Sequence, residues 1–148
     1  MAVLFRIMMM FVGYILACVA ASLVLTIGTL TPEWNDLATS SGLQSPAAQS
    51  AALWSLVALG AAIIFAVGLL PVLLVIALAE GFAVRSIVLY GALGGALALT
   101  AGYGLDFAGY VTAPGSDLAH EREVFAAAGI AGGLVYWLFA GRNAGAWK

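Results

Sequence analysis

The residues with chemistry to offer are few, and they cluster at the ends of apolar runs. His120, Glu121 and Glu123 stand close together, and a histidine beside carboxylates is a donor set for a divalent cation. On a helix His120 and Glu123 share a face at i,i+3 while Glu121 turns away. With Asp106 and Asp117 nearby in sequence, the group reads as a hydrated helix entrance rather than a metal site. Glu80 and Arg85 flank the short turn 80–85, next to Ser86 and Tyr90. They are spaced to pair across it, marking where lipid ends and offering a polar contact point to a cytoplasmic partner or a lipid headgroup. Tyr103, Tyr110 and Thr112 are candidates to line a polar vestibule. Cys18 is the sole cysteine, which excludes a disulfide framework and any cysteine-based zinc site.

What the long apolar runs lack is as informative. No Asp, Glu, Lys, Arg or His lies deep in any of them, and such a charge at a membrane-helix centre costs about 2.5–3.5 kcal/mol, so its presence marks function. A haem protein of the cytochrome b type needs paired histidines, and there is one histidine. A quinone-linked disulfide generator needs cysteine pairs, and a small multidrug transporter needs a carboxylate in its first span. An intramembrane protease or a metal-dependent lipid enzyme finds no constellation to use. The sequence therefore predicts no catalytic residue, no cofactor, no metal and no enzyme.

Composition places these residues in a membrane. Of 148 residues 64% are apolar and 8% charged, against about 45–50% and about 25% in a soluble domain. Mean hydropathy is +1.11. The net charge of −2 supplies no basic field for nucleic acid. Crossing a hydrocarbon core of about 30 Å takes about 20 apolar helical residues. Four runs qualify, at about 7–30, 51–79, 86–105 and 120–140, the last starting near Leu118. The first is too long for the hydrophobic region of a signal peptide, which has about 7–15 residues. The residues after Cys18 continue the span, unlike the polar tether that follows a lipid-modified cysteine.

Four of the five basic residues (Arg6, Arg85, Arg142 and Lys148) fall on one side of these runs. Glu33, Asp36, Asp106, Asp117, Glu121 and Glu123 fall on the other, with Arg122 as their sole cation. The positive-inside rule puts the basic side, and both termini, in the cytoplasm. Ser45-Pro46 predicts an N-cap followed by proline at the first helical position, and Pro71 predicts a kink in the inner half of the same helix. Gly81 suits a helix end. The tight link around it makes the second and third helices antiparallel neighbours, and Ala113–Asp117 forms a turn before the fourth. The fold class is all-α: a single domain, 1–148, a four-helix transmembrane bundle, N-in and C-in, with antiparallel neighbours.

Small residues recur every four positions in each span: Gly13, Ala17 and Ala21; Ala58, Ala62 and Ala66; Gly91 and Gly95; Gly129 and Gly133. Lipid tails are as apolar as leucine, so helices associate where small residues let backbones approach. The direct reading is close packing within the chain. A sharper one has a stripe, first of all that of the fourth helix, facing a second copy or a foreign helix. Ser22, Thr26, Thr29, Ser55 and Thr100 are expected to satisfy themselves on their own helix.

The run 71–86 (PVLLVIALAEGFAVRS), with Tyr90, Gly94 and Gly95 after it, is similar to runs in small four-helix inner-membrane proteins of proteobacteria. The run 128–145 (AGIAGGLVYWLFAGRNAG) resembles theirs too, so the likeness covers about the C-terminal half. It implies a four-helix bacterial membrane protein and carries no known activity, hence no site residue. The functional expectation is a non-catalytic accessory or structural component of a membrane complex in the bacterial inner membrane, working through helix contacts with a membrane-protein partner. The alternative is a small homo-oligomeric channel or transporter for an ion or small solute.

Overall fold

In lipid every backbone N–H and C=O must be paired within its own segment, so uncharged runs of this length fold as helix. In the computed structural model the described residues are 2–30, 42, 45–81, 86–107 and 118–141, with side chains described for 7–29, 42, 45–74, 86–104 and 120–141. They form four helices: α1, Ala2–Leu30; α2, Pro46–Gly81; α3, Ile87–Phe107; and α4, Leu118–Phe139. No strand occurs among the described residues. All four helices are long and apolar enough to cross a membrane, as in a multi-pass membrane protein.

The helix starts follow the local signals. The Ser45 hydroxyl accepts the Ala48 N–H at 3.1 Å, and Pro46 opens α2 with the one residue type that has no N–H to leave unpaired. α2 runs on through Pro71 to Gly81, about 54 Å at 1.5 Å per residue. α4 begins at Leu118, where the sequence puts its entrance.

Helix contacts run in the order α2–α1–α4–α3. α1 and α4 meet antiparallel: Gly13 lies against Phe139, Ala140 and Tyr136, Gly132 against the Ala17 carbonyl and Ala21, and Gly28 against Val124. α1 meets α2 along Tyr14, Cys18 and Ser22, with Phe11 edge-on to Phe65 at 6.0 Å. α3 meets α4 at Gly94, Gly129 and Gly133, and Tyr90 pairs with Tyr136 at 5.8 Å between ring centres.

Among the described residues α2 rests on α1 and shows no comparable contact with α3, so the antiparallel pairing expected of α2 and α3 is not seen there. A short link brings two helix ends together without deciding which sides fit along their length. Here α1 and α4 each offer small residues on two sides, and so each takes two neighbours. α2 is left as the least enclosed helix, with 6% of its spanning window buried against 28% for α1. Tyr90 is buried against Tyr136, Gly133 and Gly141.

Candidate functional site

Three places bring polar or conformationally special residues together. The first is the seam between α1 and α2. Tyr14, Cys18 and Ser22 recur at i,i+4 on α1, and all three are buried. The Tyr14 hydroxyl donates to the Phe65 carbonyl at 3.0 Å and the Ser22 hydroxyl to the Val57 carbonyl at 2.8 Å. Glycines on α2 admit both hydroxyls: a methyl group at Gly60 would lie 2.5 Å from the Ser22 Oγ, and one at Gly68 3.2 Å from the Tyr14 oxygen. Ser22 thus departs from the expected self-satisfaction. Thr26 and Thr29 donate to the carbonyls four residues back, and Ser55 and Thr100 to those three back.

The second is the glycine crossing. Gly129 and Gly133 face the backbone of α3, at Gly94 and at the Tyr90 carbonyl respectively. Gly91 faces the Leu134 and Ile130 side chains, and Gly95 faces Ile130. Two further glycines were not singled out from the sequence: Gly94, which with Gly129 makes a close backbone approach in the crossing, and Gly132, which turns toward α1. The doubled glycines (94–95 and 132–133) carried the signal, since adjacent small residues smooth two sides of a helix. The α4 glycines are therefore occupied within the chain.

The third is the end where α1 finishes and α4 begins. His120 Nε2 lies 3.3 Å from the Gly28 carbonyl, one of the last carbonyls of α1 and without a partner in its own helix. The Arg122 guanidinium lies over the Tyr103 ring, 4.8 Å from its centre. Glu121 and Arg122 line a shallow notch between α3 and α4 with Leu99, Gly102, Tyr103 and Phe125. His120 thus faces α1 and Glu121 faces α3. Among the described residues no three histidine, cysteine or acidic side chains converge. Arg85 and the side chain of Glu80 lie outside the described residues, as do Tyr110, Thr112, Asp117 and the side chain of Asp106.

Beyond these places, the exposed faces differ in kind. α1 exposes Ile7, Phe11, Ile15, Val19 and Ile27, and α4 exposes Ile130, Leu134 and Leu138. The face of α3 turned away from α4 exposes Ala92, Ala96, Thr100 and Gly104 along its middle and later turns, with Ile87, Val88 and Leu89 exposed at its start and Tyr103 beside the small residues. On α2 the exposed residues include Ser55, Ala58, Ala62 and Ala66. No protein-family model, curated protein or solved structure matches the chain.

Proposed function

We propose that this chain is a four-helix protein of the bacterial inner membrane, both termini cytoplasmic, and a non-catalytic component of a membrane complex acting through helix contacts. The observation that carries this reading is the outward face of α3. Its exposed small residues at 92, 96, 100 and 104 form the kind of surface that lets another helix approach closely. α1 and α4 expose large aliphatic side chains along their length, whereas on α3 these are confined to Ile87, Val88 and Leu89, and this contrast supports a protein neighbour along the later turns of α3. That no Asp, Glu, Lys, Arg or His lies deep in a span supports a contact role over chemistry. The bias of basic residues to one side supports the orientation.

The test is native mass spectrometry of the protein extracted from its own membrane in mild detergent. Copurification with a larger complex is expected, and Ala96→Leu should release the chain while leaving its helical content unchanged. Recovery of the wild-type chain as a lone monomer would overturn the reading. A second reading, a homo-oligomeric channel or transporter, draws on the small residues exposed on α2 as well. With α2 and α3 at opposite ends of the contact order, a head-to-tail ring of copies has two surfaces to use. Solute flux from liposomes holding the purified chain alone would favour it.

A further inference from the structure

The notch between α3 and α4 combines features that one class of ligand satisfies together. It lies beside the charged run Glu121, Arg122 and Glu123, where the apolar run of α4 gives way to charge. Charge at the end of an apolar run marks the level of lipid headgroups. Its lining runs from polar to apolar in the order a lipid needs. Glu121, Arg122 and Tyr103 stand at the end, and Leu99 and Phe125 lie about one turn deeper. Gly102 keeps the floor flat, since a methyl group there would already touch the Phe125 ring at 3.4 Å.

The charges carry the inference further. The Arg122 guanidinium lies over the Tyr103 ring, 4.8 Å from its centre, a cation–π contact that leaves its N–H donors without a carboxylate among the described residues. Those donors form the fork that matches phosphate oxygens. Glu121 lines the same notch, but adjacent residues on a helix diverge and do not face each other. Among the described residues Arg122 contacts an aromatic ring rather than Glu121. The notch thus presents an anion receptor and a cation receptor side by side. A purely anionic headgroup would gain Arg122 but meet Glu121, with Glu123 beside it in sequence. A headgroup bearing both signs gains from both.

We propose that this notch seats the headgroup of a zwitterionic phospholipid with a primary ammonium, its phosphate on Arg122 and its ammonium toward Glu121, with an acyl chain leaving over Leu99 and Phe125. The inference does not rest on the proposed partner helix, although Tyr103 borders the exposed small residues of α3.

The experiment is native mass spectrometry of the full chain in non-ionic detergent, offered equal amounts of dioleoyl phosphatidylethanolamine and dioleoyl phosphatidylglycerol. The wild type should retain one phosphatidylethanolamine, preferred by about tenfold, a ratio equivalent to about 1.4 kcal/mol. Arg122→Gln should lower retention of both lipids, and Arg122→Lys should recover part of it. Glu121→Gln should keep lipid retention but erase the preference. Tyr103→Leu, which leaves every charge in place, should weaken retention and serves if Arg122→Gln fails to fold. Glycerophosphoethanolamine, the same headgroup without chains, should not displace the lipid at equal concentration. Preference for phosphatidylglycerol, or unchanged retention in a folded Arg122→Gln, would overturn the proposal. Displacement by the chainless headgroup would overturn the lipid assignment in favour of a soluble phosphate ester.

Discussion

Ser22 is the most enclosed side chain among the described residues, 1% exposed, and its hydroxyl reaches across to another helix. In a medium without water the hydroxyl must find an acceptor, and the Val57 carbonyl supplies one at 2.8 Å. Interhelical bonds of this kind contribute about 0.6 kcal/mol on average in membranes, so Ser22→Ala should cost little. Gly60→Ala should cost more, about 1–3 kcal/mol as overpacking, because the added methyl meets the Ser22 Oγ at 2.5 Å. Combining the two should return stability close to that of Ser22→Ala alone, since the atom in conflict is gone. Reversible unfolding in mixed micelles measures all three variants. Simple additivity of the two single effects would show that Ser22 and Gly60 do not meet. The residue type of Ser22 was readable in the sequence, but its acceptor lies 35 positions away and leaves no local trace.

At the scale of elements, the α3–α4 crossing is held by the absence of side chains. A methyl group at Gly94 or Gly129 would strike the carbonyl of the other, and backbone cannot yield as a side chain can. Gly94→Ala and Gly129→Ala are therefore expected to lose about 3 kcal/mol or more, the upper end of overpacking costs. Gly104→Ala, with nothing within 4 Å, should stay within about 0.5 kcal/mol of wild type. Thermal melts of the detergent-solubilised chain read the contrast, and equal losses at positions 94 and 104 would refute the crossing. The four helices and the start of α2 were legible from apolar length and from Ser45-Pro46, because caps and hydropathy are local. The neighbour order was not. It depends on which smooth sides face each other, and doubled glycines on α3 and α4 decide that against the pull of the short α2–α3 link.

For the whole molecule, the contact pattern and the charge pattern can be tested against each other. The first half of α1 meets the end of α4 where Gly13 lies against Ala140, and the start of α3 joins them where Gly141 lies against Tyr90. Arg6, Arg85 and Arg142 lie within a few residues of that end in sequence. At the opposite end the close of α1 meets the opening of α4, where Gly28 touches Val124. Positive charge on one end drives that end to remain in the cytoplasm. Periplasm-active reporters inserted at 40 and 115 should therefore work, and the same reporters at 83 or after Lys148 should be silent. Exchanging Arg6, Arg85 and Arg142 for glutamine leaves Lys148 facing Arg122, one cation on each side, so the bias disappears and reporters at both ends should then give mixed signals. A cytoplasmic location of both 40 and 115 in the unaltered chain would reverse the orientation while leaving every helix contact intact, because those contacts depend on glycine and hydroxyl geometry and not on which side the basic residues face.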